Sequence, residues 1–445
     1  MVKKRLSFVI ALIMSLALVQ VVSADTPAPG GPFSTAFRVQ NLSGTSANCV
    51  YTLYDNTGSS AYTSSSTAIA PGDGMFVFVP NISGLASGSY SAVVSCDQQV
   101  AAVTNFSDAD SGASHSGISS PGTTWYAPGV YDNYYDFYSN IVVQNATGST
   151  VDITVDYYAA GSASPVHSET QTNVPAYASA NFEQEGLSQL SQNVTYSAKI
   201  TGTGNIAPIV NLYGRGAVDN QLYSYNPVSS GATKVYAPVI MNNYYGYNTA
   251  LTVQNNGTAT TSVTITYGTG QIWSGDVGAN ASVAFYTPAS GVPAGSLTGA
   301  VIESTSAGSG AQPIVALVNE SNSFNRAASY IGFASGGTEV RLPIVMRRYY
   351  DYNTSITCQN VGSGSTTMTL EYGGVSGSNS SPSIAAGNIH LFYQPNDSLI
   401  SDGFNGSATI TASEPIVCVV NEDQNEGSLA TTSMDQLYAY EGIAP

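Results

Sequence analysis

The feature that most limits how this chain can fold is a four-fold internal repeat. The stretch "NNYYGYNTALTVQN" at Asn242–Asn255 returns as "DNYYDFYSNIVVQN" at Asp132–Asn145 and "RRYYDYNTSITCQN" at Arg347–Asn360. The pair Gln-Asn anchors all four copies: Gln40-Asn41, Gln144-Asn145, Gln254-Asn255 and Gln359-Asn360, spaced by 104, 110 and 105 residues. Later landmarks keep the same order. An alternating run ("VDITVDYY", "TSVTITYG") is followed by an "IAPGDGMFVF"-like segment. A strand such as "YSAVVS" or "TGAVIE" comes next, and then a piece like "QPIVALVN". Repeats of this length are single structural units stacked along one chain.

Within each copy the hydrophobic period is two. In "SVTITY" and "LTVQN" apolar residues alternate with Thr or Gln, as a strand with one buried face requires. Asn-Gly, Pro-Gly and Ser-Gly punctuate at strand intervals. The longest helix-like stretch, Glu183–Gln192, offers a turn or two at most. Seven or eight strands in about 105 residues predict a two-sheet sandwich, because a single sheet would leave one apolar face in water. The expected fold is therefore all-β: four tandem Ig-like β-sandwich domains of seven to eight strands behind a cleaved signal peptide. The expected boundaries are 1–24 for the signal and 25–123, 124–233, 234–337 and 338–445 for the sandwiches.

The signal reading rests on Lys3, Lys4 and Arg5, the apolar run after them, and Val22-Ser23-Ala24 before Asp25. It implies a secreted or surface-held protein that is not integral to the membrane once cleaved. The whole chain carries 11 basic and 28 acidic residues, and losing the first 24 residues moves the balance from −17 to −20. That charge argues against nucleic acid as a partner, since phosphates are neutralised by clustered Lys and Arg. Only 9% of residues are charged, so Ser, Thr, Asn and Gly must solvate the surface.

The unit resembles the Ig-like or fibronectin-like modules, including the CARDB type, of bacterial surface and adhesion proteins. The residues that carry the likeness are a strand ending "TVQNNG", the following "VTITYGTG" and the "VGANASVAF" segment. The resemblance implies a sandwich fold and a structural or adhesive role, and says little about a ligand. The Tyr-rich lead-in matches no signature of known role. Copy one departs from the others: its lead-in would fall at Val22–Phe33, which signal cleavage cuts. Its first strand is thus expected to be trimmed or supplied by a neighbouring molecule in a filament.

Four cysteines, two in copy one and two in copy four, predict bridges Cys49–Cys96 and Cys358–Cys418 in an oxidising compartment. Sequence alignment sets Cys358 beside Val143 and Val253, and Cys418 beside Asn211 and Ala316. Each bridge closes a loop long enough to stabilise its module by roughly 4 kcal/mol.

No nucleophile elbow, HExxH, dinucleotide or P-loop pattern occurs, and His115, His167 and His390 sit at unmatched positions. No enzyme is expected. Glu183 and Glu185, in "NFEQEG", read as a solvated pair. Asp108 and Asp110 in "SDADSG" have the alternating oxygens of a calcium loop or of a plain polar turn, and Glu320, Glu422, Asp423 and Glu426 fall in the corresponding stretch. Beyond calcium, no cofactor is expected. Tyr134, Tyr135, Tyr244, Tyr245, Tyr247, Tyr349, Tyr350 and Tyr352 are the candidate ligand surface, with module packing as the competing reading. Strand order puts the Tyr-rich and acidic loops at one end of each sandwich. The functions expected are a structural or adhesive cell-envelope component, an array of carbohydrate-binding modules, or a filament subunit. Partners would be an envelope polysaccharide, a protein or a second copy. The arrangement of modules, rod or zigzag, stays open.

Overall fold

The computed structural model describes residues 32–306, 310–424 and 434–444. The signal segment and Glu426 lie outside these. Copy three shows the repeat in full. One sheet holds, in spatial order, Lys234–Asn242, Ser296–Thr305, Thr261–Tyr267 and Ile272–Val277. The other holds Ser282–Tyr286, Asn248–Asn255, Ile314–Ser321 and Ala327–Ile331. Every pairing is antiparallel. The alternation works as the sequence predicts: Val263, Ile265 and Tyr267 are buried between the sheets while Ser262, Thr264 and Thr266 are not. In copies two and four the sixth and seventh strands run on as one, Thr195–Gly214 and Phe404–Gln424, so the two sheets join. The four copies are β-sandwiches. The last expected boundary falls one residue inside the strand Gly337–Arg347.

The Gln-Asn pair turns out to be a joint. The Asn side chain locks the turn that follows it in every copy. Its Nδ2 donates to the carbonyls of Thr45, Ser149, Ala259 and Gly364 at 2.7–2.8 Å, and its Oδ1 accepts from an N–H two residues on. The Gln side chain donates to a carbonyl at a second turn: Gly72, Tyr177, Asn280 or Gly387. All four of those residues have positive φ, between 57° and 78°, which aims that carbonyl away from its own strand. In three of the four copies it also accepts a serine hydroxyl from the preceding copy. Ser91 donates to Tyr177, Ser197 to Asn280 at 2.6 Å, and Ser407 to Gly72 at 2.9 Å. At the remaining joint Gly299 replaces the serine, and Gln359 reaches the Ala300 carbonyl.

The Ser407–Gly72 contact runs from copy four to copy one, so the chain closes into a ring. It is neither a rod nor a zigzag. Sequence alone leaves this open because every joint is made by groups that also serve their own module. The last strand of each copy, Gly112–Ser116, Leu222–Tyr225, Ala327–Ile331 and Leu437–Glu441, lies at the ring's centre, and each packs on two others. Hydrogen bonds tie them around the circle. Asn226 and Ser116 exchange two at 3.0 Å, Ile331 N–H donates to Glu441, and Ser114 donates to the Ala439 carbonyl at 2.6 Å. Asp435 touches all the other copies. Its carboxylate accepts from Leu222 N–H at 2.8 Å and Ala327 N–H at 2.7 Å, and its own N–H donates to the Asp110 carbonyl at 2.7 Å.

Within each complete module a tyrosine from this central strand pins the first strand. Tyr225, Tyr330 and Tyr440 donate to the carbonyls of Pro128, Val239 and Ile344, where that strand bulges. Copy one has His115 at this position, and no first strand among its described residues. Its neighbouring strand, Ser91–Cys96, is left half-covered. Ala92 is exposed, whereas the matching Ala198, Ala300 and Ala408 are buried.

Both disulfides form as expected. Each joins residues directly opposite on adjacent strands of one sheet, so neither is an inter-sheet bridge. The pairing also corrects the alignment of copy two: Cys418 faces Cys358 as Pro208 faces Val143, so Asn211 is not its counterpart. The sequence match on Pro-Ile-Val is out of register, and the Gln-Asn strand sets the true one. Two disulfides fit an oxidising environment. No helix among the described residues is long and apolar enough to cross a membrane.

Candidate functional site: tyrosine turns and ring joints

Each Tyr-rich lead-in folds as a two-residue hairpin turn. Tyr134, Tyr244 and Tyr349 exchange two backbone hydrogen bonds with Phe137, Tyr247 and Tyr352 at 2.9–3.1 Å. The two central residues are left-handed: Tyr135 and Asp136 at φ 52° and 65°, Tyr245 and Gly246 at 48° and 86°, Tyr350 and Asp351 at 49° and 65°. This is the type I′ geometry that suits the twist of a hairpin and that Asn, Asp or Gly adopt most readily. A tyrosine at the first central position is costly for the backbone, and it recurs three times.

The tyrosines split by role. Tyr135, Tyr245 and Tyr350 are 73%, 87% and 77% exposed. Each is held edge-on by the tyrosine before it, with ring centroids 4.8 Å apart. Those preceding residues, Tyr134, Tyr244 and Tyr349, are half-buried. Tyr247 bonds across a joint, and the matching Tyr352 bonds within copy four. Tyr247 Oη donates to Asp423 of copy four at 2.9 Å, beside the Arg326–Asp423 ion pair that spans the same joint. Burial first, and the Asp423 charge second, hold the Tyr247 phenol well above its usual range. Tyr352 donates to Gln436, next to Tyr438. Gln424 donates to the Tyr350 carbonyl at 3.1 Å.

The acidic residues are placed otherwise than the sequence suggests. Glu320 and Glu422 lie in strands rather than loops and are fully buried at the joints. Asn421 donates to Glu320 at 2.6 Å and Asn105 to Glu422 at 2.8 Å, each across a module boundary. Burial pushes both carboxyls up to about 8, and the Asn bonds oppose it. Asp108 caps its own turn, accepting from the N–H groups of Asp110 and Ser111 at 2.8 and 2.7 Å. Asp110 supplies its carbonyl to Asp435. Among the described residues no three His, Cys, Asp or Glu side chains cluster to hold a metal.

Glu183 and Glu185 are not a solvated pair. Both accept from Tyr213 Oη, which stands between them, and Arg215 grips Glu185 at 2.7 Å while covering the Tyr213 ring at 4.9 Å. Burial raises Glu183 to about 7. With the phenol between the carboxylates, the three side chains form a strut. The histidines stand apart, each against a ring: His115 by Phe106, His167 by Tyr157, His390 by Phe392.

One joint is open. Between copies four and one a cleft of about 190 Å³ is lined by Tyr349, Tyr350 and Tyr352 on one side and by Arg38, Phe76 and Asn105 on the other, with Glu422 and Asn405 also in its lining. The sequence reading missed Arg38. Its signal was the one charged side chain at a position where the other Gln-Asn strands carry Val142, Thr252 and Thr357.

A pH dependence follows from the buried glutamates. In the unfolded chain a Glu releases its proton near pH 4.3, whereas folded Glu320 and Glu422 hold theirs to about 8. Folding then binds protons across that window, so their contribution is complete below the unfolded value and is lost as pH rises to about 8. Thermal unfolding of the wild type should weaken from pH 5 to pH 8 relative to a Glu320→Gln/Glu422→Gln variant. A difference that runs the other way contradicts the assignment.

Neither a family model nor a curated protein matches this chain. Among solved structures, the crystal structure of Thermotoga maritima 1070 is similar over 23% of this chain and 94% of its own, at 20% identity and a TM-score of 0.19.

Proposed function

We propose that this chain is a secreted, non-catalytic adhesive component of a cell envelope, an Ig-like ring that holds a surface polysaccharide or protein through its tyrosine turns. The observation that carries the reading is the set Tyr135, Tyr245 and Tyr350: exposed, equivalent by repeat, and each in a left-handed conformation. Strained backbone persists where surrounding structure holds it, and such positions concentrate at binding sites. A tyrosine gives a large contact area at low entropic cost. Packing explains Tyr247 and Tyr352 and leaves the exposed three without a structural task. The scattered histidines and the strut at Glu183 and Glu185 support a non-catalytic role.

Replacing Tyr135, Tyr245 and Tyr350 together with Asn should keep or slightly raise stability, because Asn tolerates the left-handed region. It should abolish co-sedimentation with purified cell-wall polysaccharide or envelope fragments. Tyr247→Ala should instead cost about 3 kcal/mol or more in unfolding experiments, as for other buried aromatics. Undiminished co-sedimentation by the triple variant would leave only a structural role.

A second reading, strand exchange into a filament, is favoured by the half-covered strand of copy one. Val94 is half-buried there, while the matching Ile200, Ile302 and Ile410, each paired with a first strand in the same sheet, are fully buried. An open edge with exposed core is a template for another strand. A peptide of Lys234–Asn242 in excess should bind the protein and raise its melting temperature. No binding at millimolar peptide, with a monomer at high protein concentration in light scattering, excludes this reading.

A further inference from the structure

We propose that the cleft between copies four and one is a sugar-binding site that takes one neutral sugar unit of a glycan. The proposal deepens the adhesive reading and rests on it, since Tyr350 belongs both to the exposed set and to the cleft wall. At about 190 Å³ the cleft is small, which limits a bound glycan to one sugar unit inside it.

The cleft exists because this joint lacks the filling found at the previous one. Between copies three and four, Asp423 binds both Tyr247 and Arg326 and closes the joint. Copy one has Ser107 where copy four has Asp423, and Ser107 lines the cleft. The shorter side chain leaves space between the tyrosine turn and copy one.

The lining is built for a polyol. Arg38 is 8% exposed and Glu422 fully buried, yet Arg38 Nε and Glu422 Oε1 have no partner in the protein. Arg38 Nη1 is fixed by Asn405 Oδ1 at 3.1 Å, and Glu422 Oε2 by Asn105 at 2.8 Å, so both groups are oriented before any ligand arrives. Arg38 Nε is a donor, and the Glu422 carboxyl, which holds its proton to about 8, can give or take a hydrogen bond at Oε1. A hydroxyl both donates and accepts, so a neutral sugar can satisfy the pair. The net charge of −17 on the chain disfavours an anion, and a cation would meet Arg38. Tyr349, Tyr350 and Tyr352 line the cleft and offer aromatic surface to the C–H side of the ring.

Titration calorimetry of the full secreted chain tests this with neutral β-1,4-glucan, β-1,3-glucan, β-1,4-mannan and α-1,4-glucan tetrasaccharides, and with an oligogalacturonate. At least one neutral tetrasaccharide should bind with Kd below 1 mM. Arg38→Lys, which keeps the charge but loses the fork, should weaken it at least ten-fold. If Arg38→Lys lowers the melting temperature, Asn405→Ala carries the test and should weaken binding as well. A Tyr135→Asn/Tyr245→Asn variant, altered only at the other two turns, should bind the tetrasaccharide unchanged. No binding of any neutral sugar, unchanged binding in the Arg38 and Asn405 variants, or tighter binding of the oligogalacturonate overturns the proposal. In each of those cases polysaccharide co-sedimentation by the wild type would still stand or fall separately with the three exposed tyrosines.

Discussion

Four strand ends converge on one axis, and their buried backbone groups need partners that no single module holds. A buried N–H without an acceptor costs about 1–3 kcal/mol, so the centre of the ring is stable only if neighbours complete one another. Asp435 does this at one end, accepting from Leu222 and Ala327 while its own N–H reaches Asp110. Burial pushes the Asp435 carboxyl up, and its backbone N–H partners pull the other way. Glu441 acts similarly at the other end, accepting from Ile331 N–H and the Ser116 hydroxyl. Both acids belong to the last copy, so that copy's central strand completes what the first three leave open.

The same dependence explains why the repeat tolerates variation at its surfaces and so little at Gln-Asn. The Asn holds its own module's turn. The Gln and the left-handed carbonyl beneath it face the preceding module. Changing either would disturb two sandwiches at once. The joints differ where function can be placed. The joint of copies three and four is closed by Arg326, Asp423 and Tyr247, whereas the joint of copies four and one has a cleft lined by Arg38, Glu422 and three tyrosines. A repeat protein can vary one joint in this way because the others hold the ring.

The sandwiches were legible in the sequence because the period of two is a local property, seen in runs such as Val263, Ile265 and Tyr267. The ring was not, because closure depends on pairs distant in the chain, such as Ser407 with Gly72 and Asn105 with Glu422. The carboxylates of Glu320 and Glu422 read as loop acids, since burial of a charge is invisible until its Asn partner from another module is in place. The tyrosines were half legible: their recurrence marked them, but only the turn geometry separates exposed Tyr245 from Tyr247 two residues on. Arg38 carried a signal, a charge where its counterparts are Val or Thr, that becomes meaningful only once copy four lies beside copy one.

Small-angle X-ray scattering of the secreted chain tests ring closure most directly. A compact body of this length has a radius of gyration of about 22 Å, and a closed ring should lie within a few ångströms of that. Four sandwiches strung end to end would give about 40 Å on the same scaling. A value near the first, with a pair-distance distribution that falls to zero without an extended tail, is what closure predicts. A value near the second would contradict it.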